Sequence, residues 1–298
     1  MTTLPVAILI HDGMTARSYL RAMASINVRP ACMVRLLYTR DFDTGRPIAA
    51  WMPAAVRRWY LAHAQDLALN HWPRWLLKHH PTLVHSIAEA AAPLCKWPTS
   101  YPRTLAEGFS YSDYADRVVD LQVSGIADPA LASCLSNIGL PVLFTGGGLL
   151  PRATVEQVPF IHIHPGRLPD VRGADGLLWS ILLHGHPSAS CFLMRAEIDS
   201  GPVLCSRDFL PLHVPLDPGQ PRPGDLTLYR ALFSFLDPVF RAALWSDVIQ
   251  AASSEGLEVA LSRATLKTGG PDHVYHFMSA RLRREALHLI FRSRTDGK

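Results

Sequence analysis

Several signatures are missing from this 298-residue chain, and each absence narrows its function. The first apolar segment ends in a loop with a single glycine, Gly13, so no Gly-x-Gly-x-x-Gly dinucleotide fingerprint follows it. Cysteine is scarce: Cys32, Cys95, Cys134, Cys191 and Cys205 are odd in number, scattered and without a Cys-x-x-Cys pair. That pattern describes buried free thiols in a reducing compartment rather than a disulfide framework. Charge is sparse too, at 18% of residues, and the formal net charge of +4 is spread along the chain. Arg281, Arg283 and Arg284 form its one tight basic cluster, on a short helical segment that reads as a solvated face. Charge therefore gives no reason to expect a nucleic acid partner. The apolar run at residues 4–10, LPVAILI, is too short to span a bilayer and lacks a basic leader. It reads as a buried first strand, and the expected location is the cytoplasm, with no membrane partner. Neither internal repeats nor a low-complexity tail are found.

What is present reads as α/β. Val6 to Ile10 is a continuous apolar run ending in His11-Asp12-Gly13, and Thr15 is placed to cap the helix after it. A second strand is expected over Ala31 to Tyr38. Strand, loop, helix and strand in that order imply a Rossmann-like, doubly wound, mostly parallel sheet with its ligand crevice at the strands' carboxyl ends. Residues 41–100 form an aromatic-rich insertion of two helices, with Trp51, Trp59, Trp72 and Trp75 among the residues of a stripe expected in the core. Further strands are expected at Leu83 to Ile87, Val118 to Val123, Leu140 to Thr145, Phe160 to His164, Ser190 to Met194 and Val203 to Phe209. Helices are expected near Pro129 to Ser136 and from about Gly176 to His184. A proline-rich linker from Val214 divides a catalytic domain, residues 1–213, from a small, largely helical extension, residues 214–298. There Asp225 is placed to cap a helix carrying Leu228, Leu232, Phe235, Leu236, Phe240 and Leu244, and a last helix is expected near Ser279 to Ile290.

The chemistry concentrates around FIHIHPGRLP, from Phe160 to Pro169. Side chains two apart on a strand share a face, so His162 and His164 point into one space beside the Pro165-Gly166 break. Asp199 lies further along, at a Ser-Gly-Pro turn. Imidazoles near a carboxylate can serve acyl transfer, donating to an oxyanion and moving a proton. Two histidines and a carboxylate can equally ligate a metal, as in a metal-dependent hydrolase. A histidine satisfied by backbone in a core is the third reading.

From Leu143 to Phe209 the chain resembles the folate-dependent formyltransferases, a family that includes glycinamide ribonucleotide transformylase, methionyl-tRNA formyltransferase and the amino-sugar N-formyltransferases. HPGRLP, His164 to Pro169, is similar to the family's His-Pro-Ser-Leu-Leu-Pro loop, with Gly166-Arg167 in place of Ser-Leu. Arg172-Gly173, Trp179-Ser180-Ile181 and the Asp199-Ser200-Gly201-Pro202 turn match the family's subsequent motifs in the same order. The resemblance implies that His164 polarises the formyl oxygen and that Asp199 keeps that histidine charged and receives the amine proton. His162 stands where the family has asparagine. Gly148, Leu149 and Leu150, in the GGGLLP loop, and Glu197, Ile198 and Asp199 would hold the co-substrate, 10-formyltetrahydrofolate.

The tRNA-specific relatives have a full basic β-barrel domain where this chain has a short, largely helical tail. A segment from His273, HVYHFMSARLRREAL, is similar to the tails of sugar and amino-acid N-formyltransferases. The implied acceptor is a small-molecule amine, either on a nucleotide-linked sugar or on a modified amino acid, with a homodimer as a further expected association. A catalytically impaired folate-binding module is the alternative that the His162 replacement leaves open.

Overall fold

A computed structural model describes residues 1–41, 44–267, 269–270 and 274–293. The elements run β1 (Thr2–Ile10), α1 (Met14–Ser25), β2 (Val28–Tyr38), α2 (Ala54–Leu69), α3 (His71–His79), α4 (Pro81–Cys95) and α5 (Tyr101–Ala106). Then come β3 (Val118–Val123), α6 (Pro129–Ile138), β4 (Val142–Phe144), α7 (Arg152–Val155), β5 (Phe160–His164), α8 (Gly176–His184), β6 (Ser188–Leu193) and β7 (Val203–Asp208). The C-terminal part holds β8 (Val214–Leu216), α9 (Asp225–Ala231), a π-helical turn (Leu232–Leu236), α10 (Asp237–Glu255), α11 (Leu257–Ser262), α12 (Ala280–Ile290) and β9 (Phe291–Ser293).

Seven strands form one sheet in the order β3-β2-β1-β4-β5-β6-β7. The pairs from β3 to β5 are parallel, and β5-β6-β7 are antiparallel. The sheet is the mostly parallel α/β architecture expected. Connections leave β1 in one direction and β4 in the other, so a crevice opens beyond the carboxyl ends of β1, β4 and β5. Alternation along β1 and β5 divides the apolar residues between two cores. Val6, Ile8, Ile161 and Ile163 pack with α1, α4 and α10, whereas Ala7, Leu9 and Phe160 pack with α6 and Leu150. Helix α10 lies against α1, β5 and β6, and its Trp245 and Phe240 are fully buried. The C-terminal extension thus shares the main core with the sheet.

Several expectations are corrected. Leu83 to Ile87 is not a strand but the start of α4, where Leu83, Val84, Ile87, Ala88 and Ala91 recur at helical spacing and are buried. A short apolar run looks alike in either state, and here the alanine-rich continuation decides for helix. The insertion contains three helices rather than two, because Pro73 falls within the first turn of α3 and does not interrupt it. The aromatic stripe is only partly core. Trp51 and Trp59 are 83% and 67% exposed, and α2 buries Leu61 alone. Helix α2 docks through polar groups instead: Gln65 Nε2 donates to Leu36 O, and Arg57 Nε donates to Gln122. Neither Thr15 nor Asp225 is a cap, since Gly13 and Gly224 hold those positions. Part of the expected linker pairs as β8 with β9. His273, where the tail resemblance begins, lies outside the described residues.

A buried arginine ties the insertion to the first loop. Arg17 Nη2 lies 2.9 Å from Asp12 Oδ1 and also contacts Asp66 of α2, while Nη1 donates to Leu105 O at 2.8 Å. The Tyr111 hydroxyl donates to the same Asp12 carboxylate. Replacing Arg17 by Ala strands the Asp12 charge in the interior. We expect a loss of about 3–5 kcal/mol, read as a lowered urea midpoint, whereas a surface arginine such as Arg281 changed to Ala leaves the midpoint in place.

Candidate active site

Strand β5 delivers both histidines to the crevice. Its isoleucines point into the main core, so His162 and His164 lie on the opposite side together with Phe160. His162 packs between two rings, with centroids 5.9 Å from Phe144 and 5.8 Å from Phe192. Its Nδ1 lies 3.1 Å from Phe144 O. His164 sits at the strand end and is buried. The space for its imidazole exists because two neighbours lack side chains: a Cβ on Gly166 would stand 2.9 Å from Nε2, and one on Gly176 would stand 2.8 Å from it. Gly166 is one of the two positions where the HPGRLP loop departs from the pattern it resembles, and close packing against His164 is the physical reason a side chain is excluded here.

The loop is held from β6. Ser190, paired with His164 in the sheet register, donates from Oγ to Gly166 O at 2.8 Å and accepts from Leu168 N at 2.9 Å. The β6–β7 connection brings Asp199 to the histidine, with Asp199 Oδ2 3.4 Å from His164 Nδ1 and accepting from Gly173 N at 2.8 Å. Asp199 has φ +46, in the left-handed region, which an aspartate tolerates better than most residues. The two histidines and the aspartate expected to act together are therefore brought together.

They line a cavity of about 620 Å³, a volume suited to a small-molecule ligand. Gly146 to Leu149 line one wall, and Glu197, Ile198 and Asp199 line another. Gly148, Leu149, Glu197, Ile198 and Asp199 thus reach the cavity. Leu150 does not: its side chain is buried in the second core beside Phe144 and Val155. Glu197 is engaged with Arg152 at 3.1 Å. The tail also reaches the site, Val274 to Phe277 lining it, with Tyr275 N donating to Arg172 O and Ala174 N to Tyr275 O.

Sequence reasoning missed two residues. Asp175, buried at the start of α8, accepts from the Tyr229 hydroxyl at 2.8 Å and from Met278 N at 2.9 Å, joining the loop to the extension and the tail. Arg241 of α10 lines the cavity, with Nε 2.9 Å from Asp237 Oδ2 and Nη1 donating to Ile163 O at 3.2 Å. The signal for Arg241 was available: Asp237 and Arg241 are four apart in an otherwise apolar helical stretch, a spacing at which such side chains meet.

Electrostatics correct the expected charge state. Burial, reinforced by the Arg241 guanidinium and opposed by Asp199, brings the His162 pKa from the ordinary 6.5 down to about 4. His164 is lowered as well, because burial outweighs the Asp199 carboxylate and Arg241 again disfavours a second cation. Burial thus favours the neutral form of His162, and the downward shift of His164 runs against the expectation that Asp199 keeps that ring charged. Among the described residues no three His, Cys, Asp or Glu side chains are arranged to hold a metal ion.

No family model matches the chain. A 94-residue stretch is 33% identical to a methionyl-tRNA formyltransferase of Syntrophus aciditrophicus, spanning 30% of this chain and 30% of that protein. Among solved structures, it is similar to a sugar N-formyltransferase from a Shewanella species at 11% identity and TM-score 0.42, covering 97% of this chain and 87% of that one. It is also similar to a 4-N formyltransferase from Francisella tularensis at 12% identity and TM-score 0.41, covering 98% and 77%.

The geometry generates two expected outcomes. Gly166→Ser places a Cβ against a buried ring that cannot swing away, and a displacement of that order costs roughly 100-fold in turnover of whatever substrate the site takes. Wild-type rates in a folded Gly166→Ser protein would show that the ring position is not critical. The second concerns stability. The folded-state pKa values of both imidazoles are depressed, so the unfolded chain takes up protons first as pH falls. The stability they contribute is complete above pH 6.5 and is lost as pH falls toward about 4, the folded-state value of His162. Urea titrations over that window should show a declining midpoint in the wild type and a shallower decline in His162→Asn.

Proposed function

We propose that this protein transfers a formyl group from 10-formyltetrahydrofolate to the amine of a small acceptor. The observation that carries the reading is the convergence of His164 and Asp199, 3.4 Å apart, with the glycine loop at Gly146 to Gly148 on one cavity. The residues suit the co-substrate. Phe144, Phe192, Met194 and Ile198 offer apolar surface for a flat heteroaromatic ring, and the backbone of residues 146–149 offers hydrogen-bonding groups along its edge. The co-substrate would supply an activated formyl carbon. The chain's part is to fix that carbon beside the amine, exclude water and carry the proton.

The catalytic unit is residues 1–213, with the extension from 214 to 298 closing the cavity through Arg241, Val274 and Tyr275. A nucleotide-linked amino sugar or a modified amino acid such as a hydroxyornithine is the acceptor class, and the reaction is placed in the cytoplasm. The alternative, a metal-dependent hydrolase using His162, His164 and Asp199, predicts stoichiometric metal retained after dialysis. A module that binds folate without turnover predicts binding but no product across a broad panel of amines.

Calorimetric titration with a folate analogue tests the co-substrate. Binding is expected for the wild type and for His164→Ala and Asp199→Asn, with turnover lost in both variants. No detectable heat at millimolar ligand would remove the folate reading, and near-normal turnover in either variant would remove that residue from the chemistry.

A further inference from the structure

Three imidazoles, His162, His164 and His276, and two guanidiniums, Arg195 and Arg241, line the cavity; His276 and Arg195 are exposed, which leaves His162, His164 and Arg241 at its inner end. Their hydrogen atoms decide what each can do. A carbonyl oxygen only accepts, so the hydrogen of the 3.1 Å contact between His162 and Phe144 O sits on His162 Nδ1. Nε2 of the neutral ring is then a lone pair. The Asp199 carboxylate, 3.4 Å from His164 Nδ1, favours the hydrogen on that nitrogen, which makes Nε2 a second lone pair. That nitrogen is buried without a partner, where a cationic ring would leave a buried N–H unsatisfied. In these states both Nε2 atoms accept and neither donates.

Formyl transfer, on which this inference rests, requires a donor. Negative charge grows on the formyl oxygen as the amine attacks, and a water-poor cleft magnifies the value of a fixed positive group there. Arg241 has the placement. Its side chain is 15% exposed, lines the cavity, and is anchored to Asp237 and to the carbonyl of Ile163, the residue between the two histidines. The Tyr19 hydroxyl stands beside it. These contacts use fewer than the five N–H donors of a guanidinium. The π-helical turn at Leu232–Leu236 precedes it, a departure from α geometry common at functional sites. From this turn and the helix after it, Phe233 and Arg241 face the cavity while Phe235 and Phe240 stay in the core. Arg195, the other arginine at the cavity, is exposed on the β6–β7 connection.

We propose that Arg241 is a catalytic residue, donating to the oxygen on which charge develops, and that Nε2 of His162 accepts the proton of the attacking amine. His162 is chosen over His164 because its side chain is only partly buried, whereas Nε2 of His164 is enclosed between Gly166 and Gly176. The amine lone pair forms the new C–N bond as the carbonyl π pair moves to oxygen beside Arg241. The proton released from nitrogen passes to His162. Return of the pair from oxygen breaks the bond to the folate nitrogen, which takes the proton from His162. One C–N bond is made and one broken, the proton is conserved, and no oxidant is needed.

The test compares wild type, Arg241→Lys, Arg241→Ala and the double variant Asp237→Asn/Arg241→Met, which leaves no buried charge unpaired if the single variants fold poorly. Three quantities are read: folate-analogue affinity by calorimetry, turnover with hydroxyornithine and a nucleotide-linked 4-amino sugar, and histidine titration by NMR. We expect kcat to fall roughly 100- to 1000-fold without the arginine, with KM and analogue affinity little changed. Added guanidinium ion should restore part of the rate in Arg241→Ala. Both imidazoles should titrate at higher pH in the double variant, a shift that does not depend on finding the amine. Unmoved histidine titrations, or a near-normal kcat in a folded variant lacking the arginine, would overturn the proposal. If the wild type binds no folate analogue, formyl transfer itself fails and this role fails with it. Binding with an unchanged kcat removes the role alone.

Discussion

Close packing of the His164 imidazole against two glycines governs the rest of the site. A ring with Cβ-free neighbours at Gly166 and Gly176 can sink below the cavity wall, where water does not reach its Nε2. Burial then sets its charge state, and the charge state determines which partners the site requires. Ser190 fixes the backbone that makes this packing possible by holding both Gly166 and Leu168 from the neighbouring strand. The antiparallel turn of the sheet at β6 therefore has a specific use. It sets a hydroxyl opposite His164 and then carries the chain onward to Asp199.

The C-terminal extension belongs to the same electrostatic unit. Its helix α10 supplies a guanidinium to a cleft that also holds His162, His164 and Asp199. A nearby fixed cation makes a second cation expensive, so one arginine biases both histidines toward their neutral forms. A neutral His162 imidazole with its Nδ1 hydrogen committed to Phe144 O is coherent with that arrangement, because it presents an acceptor at Nε2.

Local features were legible in the sequence, and features made by distant contacts were not. The β5 strand, the HPGRLP loop and the Asp199 turn announce themselves through alternation and through glycine and proline chemistry that acts over a few residues. The sheet class was readable from the strand-loop-helix opening. Helix α4 was misread because a five-residue window cannot distinguish a buried strand from one face of a helix. Helix α2 was misread because aromatic residues at helical spacing suggest burial, and nothing local reveals that Gln65 and Arg57 make the contacts instead. Leu150 was read from its place in the glycine loop as a backbone contact, and its side chain is buried in the second core, which leaves only the backbone for that purpose. The Asp237–Arg241 spacing is visible locally, but the place of Arg241 at the site depends on the contact with Ile163, 78 positions away.

That separation has a consequence for how the molecule comes into being. The cavity wall joins Thr15 of the first helix, the middle strands and a helix near the far end, so its completion depends on contacts of high sequence separation, the slow class of folding event. During synthesis the β5 and β6 strands emerge well before α10, and the main core they share stays open on one face until α10 arrives. A nascent chain that has made His162, His164 and Asp199 therefore still presents apolar sheet surface, including Ile161 and Ile163, to the cell. Ligand-binding competence and protection from aggregation are acquired in one late docking event, and any slowing of that event prolongs both vulnerabilities together.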